Sequence, residues 1–581
     1  MRVHYPRTPH LPWSPGAAAD DVRAGDLAGL AGREVVVTEK LDGENTTLYA
    51  DGLHARSPDS AHHPSRTWVK GLHGRIRGRI PRGWRVCGEN VFARHSIAYE
   101  DLEGFFYGFS VWDGDRCLDW DRTVRFLRRA GVPAAPVLWR GVFDERALRA
   151  LRLDTGRQEG YVVRTVEGFG RADFGRRVAK WVRGGHVRTD THWMHAAVVA
   201  NGLGPKAALW TVRSGGAADV PSLSAALGVA PEEPAAEGAE AAEAAVADTA
   251  ARLDVLGRYG DARLAGVVAA MLHGVGRARL APLLAGPLGL RGARMVADLV
   301  GLAGGLQRAF PDGERRAGLV RLSLAADLGV LHAVAGALAR GAEAREQVEW
   351  SALHAEDAGL LGESPLAPLR DGLREALGGV APEAADRCWA QAREAYADGR
   401  IATVAEAVAV GWRWRSGAFP RLVHLVGPSG SGKSTFARGL AGTDAYVGLD
   451  DLRAARGNRA DQGANAEVLR EGLGRLDAAL AAGGTAVWDA TSLDRHRRAA
   501  VQRVARRRDA LVTQVVTLVG EDELVRRNRK RAHPVPPEVL AAQLRRFAPP
   551  YPGEAHRTWY VGADGTVADT AGSLHGDEGW A

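Results

Sequence analysis

The chain has 581 residues, a formal net charge of +7 and a pI near 9.5, with 46% hydrophobic and 25% charged residues. That length is too great for one hydrophobic core, and at roughly 100–200 residues per domain it predicts three or four. Its three cysteines, Cys87, Cys117 and Cys388, include no CxxC pair, which excludes a disulfide framework and a cysteine-rich zinc site and fits a reducing cytosol.

The opening MRVHYPRTPHLPWSPG has no apolar run after its first basic residue, so no signal peptide is expected. No run of about 18 apolar residues is free of charge, so no membrane span is expected either. A basic chain admits anionic partners such as nucleic acid. Only six of the 76 basic residues are lysine: Lys40, Lys70, Lys180, Lys206, Lys433 and Lys530. A chain that uses arginine wherever a cation will do keeps lysine for what arginine cannot perform, such as nucleophilic attack or point-charge binding of phosphate. Lys40 and Lys433 stand inside motifs and are singled out on that ground; Lys206 is read as incidental.

Residues 1–210 read as an α+β domain. Val35–Val37 and Thr46–Tyr49 predict strands on either side of the charged turn EKLDGEN. Val86–Val91, Phe105–Trp112, Tyr161–Val166 and Val178–Val182 predict further strands, and Arg122–Ala130 a helix. Residues 211–249, rich in Ala, Glu, Pro and Gly, predict a linker that turns helical toward its end. Residues 250–415 predict an all-helical domain, with Leu324, Leu328, Leu331, Ala335 and Leu338 on one helix face. Residues 416–581 open with the strand LVHLV, and βα alternation to about residue 545 predicts a parallel sheet with crossover helices.

In this last domain Gly427–Ser434 (GPSGSGKS) fits GxxxxGK[ST] between a strand and a helix. Gly427, Gly430 and Gly432 let backbone N–H groups turn toward phosphate oxygens. Lys433 reaches the β and γ phosphates, and the hydroxyl of Ser434, with Thr435 beside it, reaches Mg2+. Asp450 and Arg453 follow a second strand, placed to take a proton from an attacking hydroxyl and to hold an acceptor phosphate. Asp489 ends a third strand at a magnesium position. Arg527 and Arg531, four apart on a predicted helix, are placed to reach over transferring phosphates as a lid.

The P-loop, the DDLR segment, the WDAT strand and the RNRKRAHPVP lid, over roughly residues 420–550, resemble polynucleotide 5′-hydroxyl kinases of the bacteriophage and bacterial RNA-repair type. The resemblance implies Asp450 as general base, Arg453 as acceptor-phosphate ligand, and Arg527 and Arg531 as lid arginines.

Lys40 poses a different question. Held between two strands by the turn-forming Asp42-Gly43, it is kept at a pocket mouth. Its amine attacks phosphorus only when neutral, and a free lysine near pKa ~10.4 is almost wholly protonated at neutral pH. Burial, neighbouring cations or metal are expected to lower that value. Attack on the α-phosphate of ATP would give a lysine–AMP phosphoramidate.

Lys40 in KLDG, Arg56, Glu89 in CGEN, the aromatic strand at Phe106, Glu159 before a strand and Lys180 in VAKWVR follow the order of motifs I, Ia, III, IIIa, IV and V of the covalent nucleotidyltransferases. Residues 1 to about 195 resemble the RNA ligases of that superfamily. The resemblance implies an antiparallel-sheet domain with ATP between the sheets and Mg2+ or Mn2+ as metal. It assigns Lys40 as AMP acceptor, Glu39 to the adenine pocket and Arg56 to the AMP phosphate or ribose. It further assigns Glu89 to ribose, Phe106 to stacking on adenine, Glu159 to metal and Lys180 to the phosphates. Motif V usually carries two lysines; Val178 and Val182 flank Lys180 here, and Arg183 is read as the replacement charge. No oligonucleotide-binding barrel signal follows, which favours RNA ligase over DNA ligase. YPRTPHLPWSPG and HVRTDTHW resemble a bacterial RNA ligase subgroup. Their His10, Trp13, His186 and His192 read equally as an RNA-facing surface or as a packed cover.

Together the two ends imply a cytoplasmic enzyme that phosphorylates 5′-OH RNA ends and seals them to a 3′-OH, with tRNA as one candidate substrate. His273, His332, His354 and Asp357 form no phosphatase motif and are read as structural, so exposure of a blocked 3′-OH is assigned to a separate protein. A DNA end-repair enzyme would share every motif. A small-molecule P-loop kinase fused to a nucleotide-binding module would act on small hydroxylated acceptors. An RNA-end sensor with decayed sites would have lost Lys40, Lys433, Asp450 and Glu159, all of which are present.

Overall fold

The computed structural model describes residues 2–59, 62–185, 197–229, 239–309, 315–456, 465–531 and 533–576. The chain forms two compact units, residues 1–231 with 257–264, and residues 232–256 with 265–581.

The first unit holds two antiparallel sheets. One has β1 (Glu34–Lys40), β7 (Val137–Val142), β8 (Gly160–Thr165) and β10 (Val178–Val182) in the order β10-β8-β1-β7. The other has β2 (Glu44–Tyr49), β3 (Gly52–His54), β4 (Trp84–Asn90), β5 (Phe106–Asp113), β6 (Arg116–Cys117) and β9 (Phe169–Gly170) in the order β3-β2-β4-β5-β6-β9. The run Val35-Val36-Val37 is fully buried in β1, a strand paired on both edges, as β-branched residues favour. β1 ends at Lys40 and β2 begins at Glu44, so the turn at residues 41–43 carries the chain from one sheet to the other.

Strand alternation gives the second sheet two different faces. Cys87, Trp112 and Cys117 pack with Val162 and Val178 of the first sheet. Leu48, Val86, Phe106 and Val111 pack on the other side, against Val69, Leu72 and Ile76 of helix Thr67–Ile76 and Leu127 of helix Trp120–Ala130. The latter helix starts where Asp119 accepts from the backbone of Arg122 and stops at Gly131 with φ 80°.

Two expectations are revised. The stretch expected as a linker carries helix Val220–Leu227, with Leu223 and Leu227 buried, and helix Ala239–Val255. Its Ala and Leu content supports helices with a buried face, and Pro221 sits in the first turn where proline is tolerated. The leucine row from 324 to 338 does not lie on one helix. Asp327 caps the backbone of Val330, so helix Arg315–Ser323 ends before Leu324, and a new helix runs Leu328–Ala337.

The second unit joins helices to a six-stranded sheet of β11 (Arg421–Val426), β12 (Ala445–Gly448), β13 (Thr485–Asp489), β14 (Leu511–Thr517), β15 (Arg557–Val561) and β16 (Val567–Ala571). The order is β12-β13-β11-β14-β15-β16, parallel through β15, with β16 antiparallel at the edge. Buried ion pairs tie the helices to this sheet. Asp298, 0% exposed, accepts from Arg277 (2.5 Å) and Arg294 (2.9 Å), and Arg294 also donates to Asp569 at 2.7 Å. Arg557 donates to Asp386 (3.0 Å) and Glu383 (2.7 Å). Buried charges are tolerated only when paired, so helices and sheet are held in one register. No single described helix is long and apolar enough to cross a membrane.

Candidate active sites

The three carboxylates around Lys40 have separate partners. Glu39 accepts from Gln158 at 3.0 Å. Asp42 accepts from the backbone of Ser96 (2.8 Å) and Ile97 (2.9 Å) and from the Ser96 hydroxyl, which pins the loop after β4. Glu44 holds Arg66 in a buried bidentate pair at 2.7 and 2.5 Å. Gly43 is required by space, because a Cβ there would lie 2.5 Å from the carbonyl oxygen of Asn90.

The Lys40 ammonium donates to Glu159 at 2.5 Å. Burial acts to lower the Lys40 pKa, but Glu159 and then Glu89 act to raise it, and the balance lies above the ordinary lysine value. The pocket therefore holds Lys40 charged, which corrects the expectation of a lowered pKa. Burial pushes Glu89 up to about 8, against the pull of Lys40. Lys180 is pushed down by burial and by Lys40, with Glu159 and Arg56 also acting on it, so these side chains share one electrostatic site. His95 belongs to it too: its imidazole lies 4.0 Å from Asp42 and responds to Glu44, Glu159 and Lys40. Sequence reading passed over His95, since its only signal was following CGEN by a few residues.

Two assigned side chains stand elsewhere. Phe106 is 0% exposed and faces the helix-covered core, opposite Asn90 in the ladder; Tyr107, opposite Glu89, shares the face of Glu89. The adenine-stacking assignment of Phe106 is thus off by one residue, which reverses the face. Arg183 follows Trp181 in the alternation and stands opposite to Lys180. Its guanidinium donates to the Thr155 carbonyl and lines a small pocket with Trp181, so it does not replace the missing lysine. His10 is buried, bonded to Ser14 and paired with Asp21 at 3.3 Å, and Trp13 donates to Tyr161 at 3.1 Å, so both build the packed cover. His186 and His192 lie outside the described residues.

In the second unit residues 427–432 form a loop between β11 and helix Lys433–Arg438. Gly430 and Gly432 have φ of 84° and 93°, and a Cβ on Gly427 would lie 2.1 Å from the Thr517 hydroxyl. Lys433 is buried, which lowers its pKa against the opposing pull of Asp489 and Asp450, and its ammonium donates to the Pro428 carbonyl at 3.3 Å. A cleft of about 1730 Å3 is lined by Ser434, Thr435, Asp450, Arg453, Asp489 and the arginines Arg527 and Arg531.

Within it Arg453 donates to Asp450 at 2.8 Å and to Asn465 at 3.0 Å. The Tyr446 hydroxyl donates to Asp489. Arg527 is held by Glu523 and the Ala563 carbonyl, both at 2.5 Å. Arg531 lies beyond helix Glu521–Arg529, and its Nη1 is buried without a hydrogen-bond partner. A buried, unpaired guanidinium N–H is costly, and an anion such as a nucleotide phosphate satisfies it. Gln543 accepts from the backbone N–H of Ser429 at 2.8 Å. Tyr446 meets Asp489 across 43 positions and Gln543 meets Ser429 across 114, so no local pattern marked either contact. Among the helical histidines, His332 is buried and bonded to the Leu328 carbonyl (2.6 Å) and Ser351 (3.0 Å).

Residues 33–182 match the RNA ligase family model, and residues 422–550 match a family model described as an AAA domain. Solved structures of Naegleria gruberi RNA ligase are similar to the chain. A variant with AMP and manganese is 19% identical over 27% of this chain and 52% of that one, with a TM-score of 0.21. The form with pyrophosphate is 18% identical over 31% and 61%, with a TM-score of 0.21. The chain thus spans 52% and 61% of the length of these two relatives. A search of curated proteins finds no match.

Proposed function

We propose that the chain is a bifunctional RNA end-repair enzyme, an ATP-dependent RNA ligase joined to a polynucleotide 5′-hydroxyl kinase. One observation carries the ligase half: Lys40 of an RNA ligase-like segment is held at 2.5 Å by Glu159, with Glu89 and Lys180 in the same site. The kinase half rests on the buried P-loop Lys433, the unpaired Arg531 N–H and the Asp450–Arg453 pair in one cleft.

In the kinase cleft Asp450 accepts the proton of an RNA 5′-hydroxyl, whose oxygen bonds to the γ-phosphorus of ATP as the bond to the β-phosphate oxygen breaks. Arg453 holds the acceptor's phosphate; Lys433, Arg527 and Arg531 bind the transferring phosphates. In the ligase cleft Lys40 gives up its proton, Glu159 being the nearest acceptor, and its amine bonds to the α-phosphorus of ATP with release of pyrophosphate. The adenylyl group then passes to the new RNA 5′-phosphate, and an RNA 3′-OH displaces AMP to form the phosphodiester. Lys180 and Arg56 bind phosphate throughout.

Among the described residues no cluster of three or more His, Cys, Asp or Glu is arranged for a metal. The hard oxygens present, Glu159 in one site and Ser434 with Asp489 in the other, fit Mg2+ or Mn2+ that takes its remaining ligands from phosphate and water. Such a cation supplies positive charge that lowers the lysine pKa and neutralises developing phosphate charge. The reading places the enzyme in the cytoplasm, with tRNA as a candidate substrate and a separate protein exposing blocked 3′ ends. The test is incubation with ATP labelled in turn at the α and γ phosphates, with and without 5′-OH RNA. Failure to form a covalent AMP adduct would remove the ligase half, and failure to label the RNA would remove the kinase half.

A further inference from the structure

Two helices meet the kinase cleft side by side. Helix Asn465–Ala481 begins with Asn465, which accepts from Arg453 at 3.0 Å, and helix Arg495–Arg507 presents Arg497 to the same cavity. One turn further along each helix, Leu469 and Val501 also line the cavity, and both pack in one core with Val447 of β12 and Trp488 of β13. Residues four apart share a helix face, so Arg497 stands beside Asn465 on the side of the cleft where Arg453 is held. Phe436 and Ala437 of the P-loop helix pack in a separate core, with Val423, Val487 and Val515 of the sheet.

A third helix, Pro537–Arg546, adds Val539, Gln543 and Arg546 to the cavity lining from one of its faces, and Gln543 ties it to the backbone of the P-loop. Arg497 Nε and Arg546 Nη2 both approach one oxygen, Oδ2 of Asp494, at 3.4 and 3.9 Å. The other oxygen of Asp494 accepts the backbone N–H of Arg497 at 2.9 Å and caps the helix. Both arginines line the cavity and Asp494 does not. The two side-chain separations exceed hydrogen-bond length, so the guanidinium N–H groups stay uncommitted. Among the described residues Asp494 is the only carboxylate within 4 Å of either arginine, and two cations against one carboxylate leave one positive charge over. Glu538 also lines the cavity, but it stands eight residues before Arg546, about 12 Å along the helix. The two guanidinium nitrogens lie within 7.3 Å of each other, the sum of their distances to Oδ2. A phosphate that accepts from each at about 2.8 Å bridges such a gap.

We propose that Arg497 and Arg546 form a second phosphate subsite inside the kinase cleft. Arg453 holds the phosphate that follows the 5′-terminal nucleoside of the acceptor, and Arg497 with Arg546 grips the next phosphate along the strand, with the base between them against Val501 and Val539. The acceptor that fills this cleft is therefore a 5′-OH oligonucleotide with at least two phosphates, in preference to a nucleoside, a mononucleotide or another small alcohol. The proposal deepens the kinase reading and rests on it.

The test compares two acceptors on the full chain, 3′-UMP with one phosphate and UpUp with two, each with a free 5′-OH, by kcat/KM for label transfer from γ-labelled ATP and by calorimetric binding. The wild type should favour UpUp by about tenfold or more, the worth of one hydrogen bond to a charged group, and Arg497→Ala/Arg546→Ala should bring that ratio to about 1. Arg497→Lys/Arg546→Lys should restore part of it. Asp494→Asn keeps a capping oxygen and removes the competing charge, so it should raise the ratio by about two- to fivefold, the worth of an exposed ion pair. A ratio that is unchanged in the alanine variant, an equal loss with both acceptors, or a ratio that falls in Asp494→Asn would overturn the proposal. So would a raised KM for ATP with the acceptor ratio intact, which would give this wall to the nucleotide. If the wild type phosphorylates neither acceptor, the kinase reading fails; tighter binding of UpUp than of 3′-UMP that is lost in the alanine variant would leave the subsite standing, and equal binding of the two would overturn it as well.

Discussion

Glu89 is expected to carry a stability cost that comes from its burial beside Lys40. Burial raises its pKa from the ordinary carboxyl value of 4.5 to about 8, despite Lys40. A folded pKa above the unfolded one means that the folded state keeps a proton the unfolded state has released. Stability from this group is therefore greatest below pH 4.5 and falls as pH rises toward 8. At pH 7 the difference comes to about 3 kcal/mol against folding, at 1.36 kcal/mol per pKa unit. Glu89→Gln keeps the shape of the neutral acid and can still accept the Gly43 N–H that Glu89 uses. It should stabilise the first unit by about 3 kcal/mol at pH 7 and by less than about 1 kcal/mol at pH 5. Urea denaturation at both pH values, with hydrogen exchange of β4 amides to assign the transition to the first unit, measures this. The same variant should lose formation of the covalent AMP adduct. A Gln variant no more stable than wild type at pH 7, or equally stabilised at both pH values, would refute the reasoning that burial of a carboxyl governs this strand.

Other consequences follow from the same geometry. His424 in β11 is fully buried and its pKa is pushed down to about 3, so the second unit should keep its full stability above pH 6.5 and lose about 2 kcal/mol by pH 5. The urea midpoint of wild type should fall with acid over that window, and that of His424→Gln should fall less. Gly427→Ala should abolish ATP binding at the kinase site, measured by equilibrium dialysis in a Lys40→Ala background, because its Cβ would collide with Thr517. Phe106→Leu should cost about 1 kcal/mol of stability through repacking and leave the KM for ATP in adenylylation unchanged, since the ring faces the helix-covered core. A raised KM would return Phe106 to the nucleotide site.

The elements that carry chemistry were legible because each has a local cause. A triple valine makes a central strand, Asp-Gly makes a turn, and a glycine loop between strand and helix has one familiar use. What was not legible depended on register or on distance along the chain. Phe106 and Tyr107 are neighbours in an aromatic run, and only the pairing of Glu89 with Tyr107 decides which faces the site. Arg183 has the right charge near the right motif but the wrong parity in the strand. Lys40 seemed to demand a lowered pKa from its chemistry, yet Glu159, which it meets at 2.5 Å, leads the acidic neighbours that hold it charged against burial. The union of helices with the kinase-like sheet rests on Asp298, Arg294 and Asp569, with 275 positions between Arg294 and Asp569, a pairing invisible to any window.

The central claim is that one chain carries two ATP-dependent active sites, one built on Lys40 and the other on Lys433 and Asp450. Incubating wild type, Lys40→Ala and Asp450→Ala with labelled ATP and 5′-OH RNA, then resolving protein and RNA on denaturing gels, tests it directly. The account predicts an AMP–protein adduct in wild type and Asp450→Ala but not in Lys40→Ala, and 5′-labelled RNA in wild type and Lys40→Ala but not in Asp450→Ala. An adduct that survives loss of the lysine amine, or labelling of RNA that survives loss of the Asp450 carboxylate, would contradict it.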